Sequence, residues 1–359
     1  MRRCFGSLIL SAVAAISAAA QETYPNFAIT GRLQTQFYLF DNHGLPATGS
    51  PSNFFLRRVR FQVNGKFREN VSFVIQPSFE GGRATGVRLR DAYIDIRATG
   101  ASSPTSFTFR MGAEKKPFGR YELSSANNLP SLERNAGRGL LPVASNNLFE
   151  AAGYIATDLG ASVDLGHQIN KEQRFDLRVG LYNGQGESFN DVNGAKSFAV
   201  RTTVDVTKNL SIGASLFSHD GIVRIDSTRV DSSFHNSAVG LEAQWGKIGA
   251  AGLVVIADYM RGKALTAAKP TMSGLSVVSA YHIRTAKSKA VFAVEPAFRL
   301  DLADPNTAVD ANGSTLISLG VNIYLTAKAQ LRLMYESQNP RAANLKTISG
   351  IRTGWTMNF

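Results

Sequence analysis

The chain has 359 residues, 44% of them hydrophobic, and carries 39 Lys and Arg against 27 Asp and Glu, a net charge of +12. After residue 20 no apolar run approaches the roughly 20 residues of a membrane-spanning helix, which excludes a helical membrane protein. A single cysteine, Cys4, excludes a disulfide scaffold or a thiolate metal centre.

Residues 1–20 read as an export signal. Met1, Arg2 and Arg3 form the basic start, Leu8 to Ile16 the apolar core, and Ala18, Ala19 and Ala20 the small residues before a cut at Gln21. Cys4 leaves with this segment. Losing Arg2 and Arg3 lowers the basic count from 39 to 37 and the net charge to +10. Residues 21–359 then form one exported, basic domain.

That domain alternates. In the first strand, 27–39, Phe27, Ile29, Leu33, Phe37 and Leu39 share one face, and Thr30, Arg32, Gln34, Gln36 and Tyr38 the other. Further strands are expected near 54–67, 71–80, 87–97, 105–113, 149–165, 173–182, 196–207, 209–218, 236–246, 248–261, 274–285, 290–301, 314–325, 328–337 and 347–359. Sixteen is the even count that returns both ends of an all-β, antiparallel transmembrane barrel to one side of the membrane. In 87–97 the parity of Ile94 and Ile96 aims Arg88 and Arg90 outward, so a bulge lies there or these arginines stand above the membrane. In 290–301, Val294, Pro296, Phe298 and Leu300 face lipid against Glu295, Arg299 and Asp301, with Pro296 removing one ladder hydrogen bond. The last strand sets Ile351, Thr353, Trp355, Met357 and Phe359 against Arg352, Gly354, Thr356 and Asn358, and Phe359 is the closing aromatic of such barrels. Trp355, Tyr281 and Tyr335 read as interfacial girdle.

Connections alternate in length. Tight turns at 208–209, 246–247, 286–289 and 326–327 are expected on the side of the termini. Long segments at 41–53, 114–148, 183–195, 219–235, 262–273, 302–313 and 338–346, with the short 81–86, fall on the other side. The third outer connection, 114–148, is far longer than its strands need, and connections of that length are usually functional. It is expected to fold into the lumen and narrow it, because a barrel this wide otherwise encloses an open aqueous channel.

The polar parity holds Arg32, Arg58, Arg60, Lys66, Arg110, Arg174, Arg178, Arg201, Arg284, Arg299, Arg332 and Arg352, interspersed with Glu80, Asp158, Asp164, Asp176, Asp205, Glu295, Asp301 and Glu336. Guanidinium groups lining water between low-dielectric walls concentrate anions. Their planar forks hold carboxylate or phosphate oxygens and stay charged. Mixed signs imply a local basic path rather than a uniformly positive tube. For each arginine the competing reading is a salt bridge that stiffens the wall.

GRLQ at 31–34, FLRR at 55–58 ahead of Asn64-Gly65, LRDAYI at 89–94, KPFG at 116–119, LERN at 132–135, YNG at 182–184, LGVNIY at 319–324 and Phe359 occur in one order along the chain. Together they make it resemble the phosphate-selective porin O/P family. The resemblance implies a homotrimeric sixteen-stranded outer-membrane channel of a Gram-negative-type bacterium, passing inorganic anions such as phosphate or polyphosphate. It also implies that Arg32 and Arg58 belong to a lumen arginine ladder and that Arg134 is the constriction-loop arginine. Arg57 matches too, although alternation sets it with Phe55 and Val59. Arg60 stands where the family carries tyrosine, and Arg120, Tyr121 and Glu122 occupy the stretch of the expected pore-loop lysine, so anion preference follows and phosphate specificity does not; the candidate anion-binding or pore-lining residues are Arg32, Arg57, Arg58, Arg60, Lys66, Arg110, Arg120 and Arg134.

Glu133 and Arg134 either pin the constriction loop or meet the anion directly. Lys115 and Lys116 are expected near the mouth, where the phosphates of lipopolysaccharide are alternative partners. His43, His167, His219, His235 and His282 are scattered, without metal-ligand spacing or a nucleophile motif, so neither an enzyme nor a cofactor is expected. Asp191, Asn193 and Gly194 lack the downstream Glu of a calcium loop. Basic residues alternating with lipid-facing ones in an exported chain argue against nucleic-acid binding. The alternatives to an anion channel are a porin for organic or general solutes and a structural barrel plugged by its loops.

Overall fold

The computed structural model describes residues 23–41, 50–80, 87–100, 102–126, 129–135, 144–186, 191, 193–224, 230–266, 268–285 and 290–359. The expected export signal, the 81–86 connection and the 286–289 turn lie outside them. Sixteen strands form a closed barrel in chain order. They are β1 (Asn26–Phe40), β2 (Ser52–Arg68), β3 (Val71–Ser78), β4 (Arg88–Arg97), β5 (Thr105–Lys115), β6 (Thr157–Gln168), β7 (Arg174–Tyr182) and β8 (Ser197–Asp205), then β9 (Leu210–Arg224), β10 (Val230–Trp245), β11 (Gly252–Lys263), β12 (Thr271–Arg284), β13 (Ala293–Asp304), β14 (Ser314–Tyr324), β15 (Ala329–Pro340) and β16 (Ile348–Asn358).

Closure leaves no sheet edge, which is what lets extended backbone cross a bilayer. β1 pairs β16 from Arg32↔Asn358 to Phe40↔Gly350. The seam ends on two backbone bonds between Gly31 and Phe359, at 3.0 and 3.1 Å. A Cβ on Gly31 would lie 2.2 Å from the Phe359 ring and 2.9 Å from the Arg60 carbonyl, so the GRLQ glycine makes room for the aromatic it meets across the seam.

The two faces are as the alternation requires. Ile351, Trp355, Leu333, Tyr335, Tyr281 and Leu319 are about half exposed on the outer surface, while Arg352, Arg332, Asn322, Arg299 and Asp301 are buried inside. At Pro296 the β12–β13 ladder passes from Ala280↔Ala297 to Ile283↔Val294 in the same register, skipping the positions that a missing N–H cannot bond.

Two expected boundaries differ. Residues 149–156 are not strand: Ser145–Ala151 is a helix (α2), whose Phe149 turns onto a buried aromatic cluster rather than onto lipid. Much of 219–235 is paired rather than loop, because the β9–β10 ladder continues through His235↔Asp220 to Val230↔Arg224.

The inside is not empty. Between β5 and β6, a four-residue helix α1 (Arg120–Leu123) and α2 pack against the inner wall. Phe118, Phe149, Tyr154 and Tyr182 cluster with Phe217, Met260 and Met272, while Tyr121, Leu129 and Leu132 meet Ile256, Val278 and Met334.

Candidate functional site

Adjacent arginines cannot both face inward in a regular strand, and here they do. The β1–β2 register runs Gln34↔Arg58 and then Thr35↔Leu56, leaving Arg57 as the extra residue of a bulge. Simple alternation is therefore wrong for Arg57, which joins Arg58 on Glu133. Its Nε lies 2.7 Å from Oε1 and its Nη2 2.8 Å from Oε2, while Arg58 Nη2 lies 3.1 Å from Oε2. Gln36 Nε2 donates to Oε1 at 2.5 Å.

A second bulge resolves the ambiguity in β4. Gln76↔Asp91 is followed by Pro77↔Leu89, so Arg90 is extra and turns inside, while Arg88 pairs with Ser78. Arg90 Nη2 donates to Glu80 Oε2 at 2.6 Å, and Arg60 Nε to Glu80 Oε1 at 2.7 Å. Arg32 sits opposite Arg60 and beside Arg58, and its Nε donates to the neutral amide of Asn358 at 3.2 Å.

Of the other candidates, Arg110 and Arg134 line the same cavity, and Lys66 and Arg120 do not. Arg110 chelates Asp95 at 2.6 and 2.8 Å, reaches Glu114 at 3.2 Å and stacks 3.8 Å above the Tyr93 ring. Lys66 lies near the end of β2, opposite Asn26 and Ser72 and outside the cavity that the arginines line. Arg120 reaches the far wall, at Glu242 (3.0 Å) and Ser211 (2.7 Å). Arg134 ties the loop to itself through the carbonyls of Tyr121 (3.0 Å) and Ser124 (2.5 Å) and the carboxylate of Glu122 (3.3 Å). Lys115 and Lys116 are not rim groups. Lys115 faces the same cavity beside Glu122, and Lys116, 1% exposed, lies 3.5 Å from Asp158 and donates to the Gly153 carbonyl at 2.6 Å.

These side chains surround a cavity of about 750 Å³, lined by ten basic and six acidic residues, among them Arg32, Arg57, Arg58, Arg60, Arg90 and Arg134. Lys328, Asn358 and Phe359 mark the end of the lumen that carries the termini. Residues of the β5–β6 segment, among them Glu122, Glu133 and Arg134, also line it, and this segment is held through its backbone. Arg299 donates to the carbonyls of Glu133 (2.6 Å) and Arg134 (2.7 Å), Asn322 to Pro130 (2.8 Å) and Arg332 to Ser131 (3.2 Å). Asp258 accepts the N–H groups of Arg120 (3.1 Å) and Tyr121 (2.7 Å) at the start of α1. The chain enters α1 through Gly119 at φ +75°, a left-handed conformation that explains the glycine of KPFG.

Burial alone would push the Glu133 carboxyl up, but Arg57 and Arg58 outweigh it and hold the group well below the usual carboxylate range. Burial likewise opposes ionisation of Glu80, and Arg60, Arg90 and Arg57 reverse it. Sequence reasoning did not find Glu133 as the partner of the arginine pair, nor Gln36 and Arg90. The available signal was two neighbouring arginines in an otherwise alternating strand, which is how a bulge looks in sequence.

The family model for phosphate-selective porin O and P matches residues 27–239. No curated protein matches the chain. Among solved structures, an anion-selective porin from Comamonas acidovorans superposes with a TM-score of 0.62 at 14% identity, covering 93% of this chain and 100% of the other. OmpT of Vibrio cholerae, in its trimer form, gives 0.57 at 12%, covering 93% and 99%. The outer-membrane channel DcaP of Acinetobacter baumannii gives 0.58 at 11%, covering 93% and 97%. At these identities the superpositions show the fold.

Proposed function

The chain belongs to the phosphate-selective porin O and P family, and we propose that this outer-membrane channel passes anions in preference to cations along the arginines of β1, β2 and β4. The observation that carries this reading is the excess of ten basic over six acidic side chains around one lumen cavity. Within it Arg32 faces two further arginines and hydrogen-bonds only a neutral amide among the described residues. An anion entering there meets a positive field in a low-dielectric wall, and a cation meets repulsion.

Phosphate is one such anion. Its selection is the finer part of the proposal, since Arg60 replaces the family's tyrosine and Arg120 points away from the cavity toward Glu242. In this reading the β5–β6 segment sets the narrow part of the pore, because its Glu133, Arg134 and Glu122 face the cavity. Three copies assemble in the membrane, as the trimer form described for the Vibrio cholerae protein supports. Lys115 and Lys116 face the interior, so neither is placed to meet the phosphates of lipopolysaccharide.

Conduction limits affinity. With an on-rate of about 10⁸ M⁻¹s⁻¹, a 1 μM site releases roughly 100 ions per second, while a nanomolar site nearly blocks the pore. Most lumen arginines are already engaged by Glu80, Glu133, Asp95 or Glu242, which keeps each contact to a passing ion shallow.

The test is the reversal potential of the purified barrel in planar bilayers under a salt gradient, with inorganic phosphate then added against chloride current. An anion-side potential with concentration-dependent phosphate block supports the full reading, and anion preference without block leaves a general anion porin. Equal permeability to both ions overturns it. The aromatic packing around Phe118, Phe149 and Tyr154 favours one other reading, a plugged barrel, which predicts no conductance.

A further inference from the structure

We propose that Arg57, Arg58 and Gln36 form a binding site for small organic carboxylates, which Glu133 occupies in the resting channel and from which a passing carboxylate displaces it. This rests on the anion-channel reading above. The occupant itself displays the chemistry: the Nε and Nη2 of Arg57 grip both Glu133 oxygens side-on at 2.7 and 2.8 Å. Arg58 adds contacts at 3.1 and 3.4 Å, and Gln36 one at 2.5 Å. Five donors converge on one planar, two-oxygen group, the geometry that a guanidinium fork matches best.

Three further observations separate an exchangeable occupant from a simple pin. First, the segment's position does not depend on the Glu133 side chain, because its backbone is held independently. Arg299 and Ser131 donate to the Glu133 carbonyl at 2.6 and 2.7 Å, and Asn322 and Arg332 donate to the carbonyls of Pro130 and Ser131. The carboxylate can therefore swing away while the loop stays in place. Second, Glu133, Arg57 and Arg58 all line the cavity, so an incoming ion has a path to the site and the displaced side chain has room. Third, Arg58 Nε is buried without a hydrogen-bond partner among the described residues, and Arg57 Nη1 has only a long contact with Glu80 Oε2, at 3.8 Å, so neither donor is saturated by Glu133.

A tethered competitor also explains how so many donors coexist with throughput. Glu133 rebinds from a local concentration in the millimolar range or above, so each incoming carboxylate is expelled again rather than trapped.

The experiment introduces Glu133→Gln into the full barrel and titrates benzoate against chloride current in planar bilayers, with inorganic phosphate in parallel. Losing the tethered carboxylate lowers the half-blocking benzoate concentration about tenfold or more, lowers that of phosphate less, and adding Arg57→Gln abolishes the gain. An unmoved benzoate block, an equal shift for phosphate, or a gain that survives Arg57→Gln overturns the site. The reversal potential of the parent channel is read in the same bilayers. Absent anion preference defeats the channel reading, whereas preserved preference with unmoved benzoate block defeats only this inference. If Glu133→Gln yields no folded barrel, the parent is compared with Arg57→Gln alone: weaker benzoate block in the variant supports the site, and equal block overturns it.

Discussion

Replacing Arg58 and Arg60 together by alanine tests the basic path where its charges are densest. The cavity is lined by ten basic and six acidic groups, so the double change halves the formal excess from four charges to two. The fold should tolerate it: Arg57 still holds Glu133, Arg90 still holds Glu80, and Arg299 still holds the loop carbonyls. A unit charge about 7 Å from the ion path contributes roughly 0.6 kcal/mol in water. Screening over a Debye length of about 10 Å halves that. Two charges then shift each ion by about 0.6 kcal/mol, with opposite signs for anion and cation, so the anion-to-cation permeability ratio falls roughly eightfold, and further where the local dielectric is below that of water. The assay is the reversal potential under a salt gradient, with single-channel conductance as the check that the pore is intact. An unchanged ratio in an open, folded channel would falsify the assignment of these arginines to the ion path.

Four further outcomes follow from other parts of the barrel. Gly31→Val places a side chain against the Phe359 ring and the Arg60 carbonyl, so the fraction refolding to the heat-modifiable barrel in detergent drops, and adding Phe359→Ala recovers part of it. Lys116→Met strips a buried carboxylate, Asp158, of its cation and lowers stability by about 3 kcal/mol, less if the Leu159 and Gly184 N–H groups compensate, read from the temperature of the gel-mobility transition. Asp258→Asn leaves one acceptor oxygen for the two N–H groups at the start of α1 and turns an NH2 donor toward the other, which costs about 1 to 3 kcal/mol and raises open-channel current noise without changing ion preference. Because the Glu133 carboxyl is held below its unfolded value of about 4.3, its ion pairs with Arg57 and Arg58 are fully present above that pH and lost only as pH falls through the lower folded value, so the charge around the cavity, and with it the ion preference, stays unchanged by Glu133 from neutrality to about pH 5.

Much of this architecture is legible in the sequence because lipid imposes a rule on every strand. Sixteen segments, the faces of β13, β14 and β16, and the cost of Pro296 all follow from one side meeting hydrocarbon. The rule fails where the ladder gains a residue. Parity sent Arg57 outward because it counts positions, whereas the bulge between Gln34 and Thr35 consumes one. Arg90 raised the same conflict more visibly, since two arginines on a lipid parity contradict the rest of β4. The start of β6 was misread for a different reason. The apolar residues around Phe149 pack against Phe118 and Tyr154 inside the barrel, where burial no longer distinguishes strand from helix.

The pairings in the lumen were out of reach for a topological reason. Glu133 and Arg57 are 76 positions apart, and Arg299 and Glu133 166, so their contact depends on how the β5–β6 segment crosses a cylinder whose closure is set by β1 and β16. The bulge and the loop carboxylate are nonetheless two halves of one arrangement. Without the extra residue, only Arg58 would face Glu133, and a single guanidinium would hold the carboxylate from one side. Turning Arg57 inward completes a two-arginine grip with Gln36, at the expense of ladder regularity between Gln34 and Thr35. A strand that only had to wall off lipid would have no use for that irregularity, so shifting the FLRR register by deleting Arg57 should restore a continuous ladder while abolishing carboxylate block. A barrel that folds with the deletion and still shows undiminished block would separate the bulge from the site.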